Sequence, residues 1–290
     1  MYQKVQSIRV VATFFGLWIS AYILGNFQDY VAFFLIFSLG ILHGSNDITL
    51  IKRAYNTKNL TFLKVLMSYL LIIGVGTTLF FSIPPVALIL FIVFSAYHFG
   101  EQHFHFLKID NGIISYLFYL GYGLLVITLI LYLNASDALS IINEMIGVII
   151  SLDVLRWILL ISAILTIITG ALVYLKQKLN VFIELFYLFL FSIVFFASNL
   201  IWSFALYFIL WHSLPSLADQ VQYLYKEVTK ETIIQYIKSS FIYWLISVVG
   251  FFVLVQFLEN SPTVMLSFFF SFLAAITFPH VLVMHKILKD

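Results

Sequence analysis

Apolar runs long enough to cross a lipid bilayer follow one another along this chain, with little polar sequence between them. Such a run has few options. Lipid offers the backbone no hydrogen-bond partner, so the segment satisfies its own groups as a helix of about 20 residues. Ten runs are readable, at roughly 8–25, 30–51, 61–82, 84–107, 112–133, 154–175, 181–197, 200–222, 239–258 and 262–287. Turn or charge signals separate them: Asn26-Phe27-Gln28-Asp29, Lys52-Arg53 through Lys58-Asn59, Pro84-Pro85, Asp110-Asn111-Gly112, Lys176-Gln177-Lys178, Ser198-Asn199 and Asn260-Ser261-Pro262. Residues 134–153, with Asp137, Glu144 and Asp153 among Ile and Val, read as a short interfacial helix or a loop. The expectation is an all-α, polytopic transmembrane helical bundle of about ten spans, with 1–290 forming a single integral membrane domain.

Composition excludes the main alternatives. Charged residues are 10% and hydrophobic residues 63% of the chain, whereas a soluble domain carries about 25% charged residues to cover its surface. The absence of cysteine removes disulfides, thiolate metal sites and thiol catalysis. Neither a phosphate-binding glycine loop nor a basic patch suited to nucleic acid is present. Lys4 and Arg9 lie beside the apolar run Ile8 to Gly25, which is how a signal peptide begins. No small-residue cleavage site closes that run and further spans follow at once, so it reads as the first helix.

The basic residues orient the bundle. With the N-terminus cytoplasmic and ten alternating spans, Lys4, Arg9, Lys52, Arg53, Lys58, Lys64, Lys108, Lys176, Lys178, Lys226, Lys230, Lys238, Lys286 and Lys289 all fall inside. Of the 15 basic residues only Arg156 falls outside. That asymmetry is the positive-inside pattern of a multi-pass protein of the cell inner (plasma) membrane, and it puts both termini in the cytoplasm.

Seven histidines occur: His43, His98, His103, His105, His212, His280 and His285. His43, His98, His212 and His280 fall in the second, fourth, eighth and tenth runs, all parallel. They precede the next inside lysine (Lys52, Lys108, Lys226 and Lys286) by similar intervals, so a helical rise of about 1.5 Å per residue puts them in one layer of the cytoplasmic half. Ionisable groups at that depth are costly and mark functional sites. Imidazole suits iron, copper, zinc and nickel, and an all-nitrogen site without thiolate can hold Fe(II) with positions open for O₂. Acids share their helical faces: Asp47 after His43, Glu101 after His98 and Asp219 after His212, each able to take a ligand's second N–H. A lone histidine in a bundle is more often a packing residue; it is the matched depth that favours a metal. His103 and His105 read as solvated near the interface, His285 as interfacial, and Glu184 as an interfacial acid. Among the aromatics, Tyr97, Phe99, Tyr207, Trp211 and Phe278 adjoin the histidines and could wall a tunnel for a long apolar substrate, although ordinary packing explains any one of them equally well.

Four short stretches carry a resemblance. Leu42-His43-Gly44-Ser45-Asn46-Asp47, Tyr97-His98-Phe99-Gly100, Leu210-Trp211-His212-Ser213 and Phe278-Pro279-His280 stand in one order across nearly the whole chain. They resemble the HGxxD, YHFG, HS and closing PH elements of the Brp/Blh family, bacterial membrane β-carotene 15,15′-dioxygenases. The resemblance implies an oxidoreductase that cleaves β-carotene at its central 15,15′ double bond with O₂. The reaction would run at a histidine-bound non-haem Fe(2+) and give two all-trans-retinal, with His43, His98 and His212 as implied ligands. The family pattern has a further histidine four residues beyond His212, where this chain has Ser216. His280 is then the candidate fourth ligand, with His285 behind it.

Two rivals belong to other classes. Membrane di-iron hydroxylases and desaturases depend on HxxxH and HxxHH boxes, which this sequence lacks. A transporter or proton-coupled carrier would use an intramembrane His/Asp relay and broken helices from an internal repeat. Gly100 and Pro215 could break helices, but no repeat is visible.

Overall fold

The computed structural model describes residues 2–22, 26–55, 61–107, 109, 112–176, 179–257 and 261–289. Several of the expected break signals, at Lys58, Asn59, Lys108, Asp110, Asn111, Gln177, Lys178 and Asn260, lie outside the described residues, as do the side chains of Lys4 and Asn26.

All regular structure among the described residues is helical. In chain order come α1 (Tyr2–Tyr22), α2 (Asn26–Leu35), a π-helical turn (Ile36–Gly40), α3 (Ile41–Gly44), α4 (Asp47–Ala54), α5 (Phe62–Ser82) and α6 (Pro84–Phe104). Then follow α7 (Ile113–Leu133), α8 (Ala135–Ile146), α9 (Leu152–Lys176), α10 (Val181–Ala197) and α11 (Leu200–Tyr207). A second π-helical turn (Phe208–Ser213) leads into α12 (Leu214–Tyr225), and α13 (Lys230–Val255) and α14 (Pro262–Lys289) close the order.

Eight stretches among the described residues are long and apolar enough to cross a bilayer: Phe27–Ala54, Phe62–Ser82, Pro84–Leu107, Ile113–Leu133, Leu152–Lys176, Leu200–Tyr225, Lys230–Val255 and Pro262–Lys289. They correspond to eight of the ten expected runs. The other two are α1, of 21 residues, and α10, of 17. The ninth run begins earlier than its hydropathy suggests. Thr229 accepts the backbone N–H of Thr232 through its hydroxyl while the Thr232 hydroxyl bonds back to the Thr229 backbone, a reciprocal cap that starts α13 in a polar turn. Residues 134–153 contain the 12-residue α8, which Gly147 follows at φ +66°, a left-handed position that suits glycine.

The helices gather into two compact units, each drawn from several stretches of chain. The first comprises Met1–Gly40, Phe99–Leu139 and Ser151–Pro215. Its broadest packing is α7 on α9, and small residues permit it. A Cβ added at Gly121 would stand 3.1 Å from Leu165, and one at Gly170 would stand 3.1 Å from Phe118. Helices in lipid gain from such close approach because packing replaces the hydrophobic driving force that water supplies. Polar side chains tie the same unit together: the Asn134 amide donates to the Phe195 carbonyl at 3.1 Å and the Asn199 amide to Asp29 at 2.8 Å.

The second unit comprises Ile41–His98, Ser140–Ile150 and Ser216–Asp290. Here α14 packs along α5 and reaches α3 and α4, while α13 packs on α3. Gly76 of α5 lies against the Phe278 ring, where a Cβ would come within 2.6 Å. Phe80, Ala87, Ala274 and Phe278 form one buried apolar cluster, and Leu50, Val283, Met284 and Ile287 another.

Candidate metal centre

Helix breaks set the histidines of the second unit. α3 ends at Gly44, and a turn through Ser45 and Asn46 precedes α4. The break leaves His43 on one short helix and Asp47 at the start of the next. The Tyr236 hydroxyl of α13 lies 3.1 Å from the His43 carbonyl and donates to Gln220 Oε1 at 2.6 Å. On α14, Pro279 lies inside the helix and immediately before His280. Proline has no N–H, so the carbonyl four residues earlier loses its helical donor there.

Three imidazoles lie together in this unit. The His43 and His280 rings have centroids 4.8 Å apart at 86°, and the His98 and His280 rings 5.3 Å apart at 81°. All three side chains are buried, His98 completely. His280 is the ring in common, and its two nitrogens differ. Nδ1 lies 3.0 and 3.1 Å from the two Asp47 oxygens, while Nε2 is buried and has no hydrogen-bond partner among the described residues. Tyr69 of α5 donates its hydroxyl to Asp47 Oδ2 at 2.8 Å. A carboxylate on one imidazole nitrogen, with the other nitrogen bare and facing further imidazoles, is how proteins prepare a histidine to hold a metal. The donor set (imidazole nitrogens, no thiolate) suits iron, copper, zinc or nickel.

The expected residues distribute as follows. His43, His98, His280 and Asp47 meet in the second unit. Asp47 was expected to serve the histidine of its own helix; across the Ser45-Asn46 break it makes hydrogen bonds to α14 and α5. Phe278 packs on Phe94 with centroids 5.9 Å apart, and the Tyr97 hydroxyl sits 3.2 Å from His285 Nδ1. Ser216 accepts from the Gln220 amide at 3.1 Å and faces the Met284 sulfur. Asp219 is half-buried on α12.

His212 belongs to the first unit and lies in the π-helical turn Phe208–Ser213. Turns of this type widen a helix by one residue and occur often at functional sites. Phe99 lies 4.5 Å and Phe208 5.5 Å from its ring. The other π-helical turn packs on this one through Gly40, where a Cβ would come within 2.7 Å of Phe208. The Phe99 and Tyr207 rings lie tilted against each other at 5.6 Å. Trp211 is fully buried against Tyr187 and Phe191, donates its indole N–H to Thr13 Oγ1 at 2.9 Å and carries the Arg9 guanidinium on its face. Glu101 is buried on α6.

One expectation needs correction. His103 is not solvated: it is buried, with Nε2 2.9 Å from Glu184 Oε2 and the Tyr122 hydroxyl 3.2 Å away. The last turn of α6 runs under α7 and α10, which hydropathy alone does not reveal. Glu184 correspondingly faces His103 and Tyr122, with its side chain only 13% exposed. His105, in the short turn after α6, is half-buried. The sequence also gave no sign of Tyr69, Tyr236 or Gln220. Nothing in the pattern separates Tyr69 and Tyr236 from the other tyrosines among 17, because their partners lie on other helices.

No curated protein and no solved structure matches this chain significantly. The family model described as beta-carotene 15,15′-dioxygenase matches residues 34–288, a stretch that takes in His43, His98, His212 and His280, and the chain accordingly belongs to that family.

Proposed function

We propose that this protein is an inner-membrane dioxygenase that cleaves β-carotene at its central 15,15′ double bond with O₂, giving two all-trans-retinal. Both oxygen atoms enter product, one in each aldehyde. The observation that carries the reading is the buried imidazole trio of His43, His98 and His280, in which Asp47 holds Nδ1 of His280 and leaves Nε2 bare. In this reading the three histidines hold Fe(2+), and His212 joins the ligand set on the strength of its sequence motif. Bound there, iron would supply the activation of O₂ that carbon–carbon double-bond cleavage requires.

The chain's own residues do the rest. Asp47 fixes the orientation of His280, and the break after Gly44 lets His43 point away from the line of its helix. Glu101 and Asp219 are assigned the same supporting role for His98 and His212. Tyr97, Phe99, Tyr207, Trp211 and Phe278 are the proposed apolar wall for the polyene. β-Carotene is an all-hydrocarbon molecule that partitions into the bilayer core, so a site inside a helical bundle meets it where it dissolves. No protein nucleophile or general base is needed.

Expression in a β-carotene-accumulating host tests this directly. Retinal should appear as carotene falls, and it should not appear with His43→Ala or His98→Ala. Carotene that persists without retinal in the presence of folded protein and iron would sink the proposal.

A further inference from the structure

We propose that Tyr69 is a positioning residue for His280, acting through Asp47. The proposal rests on the reading of His280 as a metal ligand but goes beyond it, since Tyr69 stands in none of the motifs that carry the resemblance.

Asp47 is 1% exposed. An ionised carboxylate only accepts hydrogen bonds, and one placed in a membrane interior requires donors from the protein. Two donors face Asp47: Nδ1 of His280, at 3.0 and 3.1 Å from its two oxygens, and the Tyr69 hydroxyl, at 2.8 Å from Oδ2. The three groups come from α4, α14 and α5, and these three helices pack on one another. Tyr69 is the donor in its bond to Oδ2.

The bond has a mechanical consequence. A carboxylate held by one donor turns freely about its Cβ–Cγ bond; one held by two donors on separate helices does not. With Tyr69 fixing Oδ2, both Asp47 oxygens stay turned toward Nδ1, which keeps the proton on Nδ1 and fixes the plane of the ring. Nε2 then points one way, toward the buried space that His43 and His98 face. Tyrosines of membrane helices usually carry their hydroxyls to the lipid–water interface. Tyr69 instead turns its hydroxyl onto an interior acid, from a helix whose neighbouring residues Met67, Leu70 and Leu71 are exposed apolar side chains.

The test uses the purified full-length chain in detergent, with ¹⁵N-labelled histidine for magnetic resonance and Co(II) titration as the metal probe. In the metal-free wild type, His280 should carry its proton on Nδ1 and none on Nε2. The opposite tautomer would overturn the proposal without any variant, since Nδ1 could then not donate to Asp47. Tyr69→Phe keeps the ring and removes only the hydroxyl. It should move the His280 Nδ1 resonance and weaken Co(II) binding by about tenfold, the low end of the effect of losing a supporting hydrogen bond at a metal site. Unchanged His280 resonances in a folded Tyr69→Phe chain would overturn the proposal. Failure of the wild type itself to bind Co(II) would instead overturn the reading of His280 as a ligand, and the tautomer and its response to Tyr69→Phe would still decide whether the three side chains act as one.

Discussion

His280 meets Asp47 through Nδ1 and leaves Nε2 bare among the described residues, and this division gives the sharpest single-residue expectations. His280→Ala should abolish metal retention and carotenoid cleavage, read by metal analysis and product assay. Asp47→Asn should weaken metal binding by about 10–100-fold, because an amide nitrogen facing Nδ1 cannot accept its proton. Ser216 behaves differently. Its hydroxyl is the acceptor for Gln220, which in turn receives the Tyr236 hydroxyl. Ser216→Ala should therefore cost about 1 kcal/mol of stability, the loss of one buried hydrogen bond, and leave metal content intact. His103 and Glu184 make a separate buried pair on the first unit. Truncating either should lower stability by about 1–3 kcal/mol, since the partner stays buried with one bond fewer, a loss visible as an earlier thermal transition. The seven histidines were legible as candidates from sequence; their pairings were not. Asp47 shows why: its nearest histidine in sequence is His43, but its hydrogen-bonded partner lies on α14.

At the scale of the element, the breaks matter as much as the helices. Gly100 of α6 lies so close to α7 that a Cβ would overlap the Tyr119 carbonyl. Backbone cannot move aside as a side chain can, so Gly100→Ala should separate α6 from α7, with loss of folded protein by size-exclusion of a fluorescent fusion. Gly76→Ala presses instead on the Phe278 ring, two residues before His280. It should leave a folded chain with weakened metal binding. Helix existence was legible because apolar length in a bilayer permits little else. The π-helical turns at Ile36–Gly40 and Phe208–Ser213 were not, because a one-residue widening leaves no mark on hydropathy. Nor was the early start of α13, which Thr229 and Thr232 decide by capping rather than by apolar content.

Across the whole molecule, the charge asymmetry makes a topological prediction that depends on no side-chain geometry. Reporter fusions after residue 28 should map outside the cytoplasm and those after residue 229 inside. A reversed pair would move the histidine layer to the other half of the bilayer. Apolar length gives eight spans among the described residues, and α1 and α10 carry the difference between that number and ten. The Asp47–His280 hydrogen bond joins residues 233 positions apart, which bears on how the protein is made. A ribosome delivers Asp47 to the membrane long before it delivers the imidazole that accepts its company. Until then the acid has the Tyr69 hydroxyl, 22 residues further on, to face it. Arrival of α14 therefore closes the imidazole group, which no earlier stage of synthesis can contain.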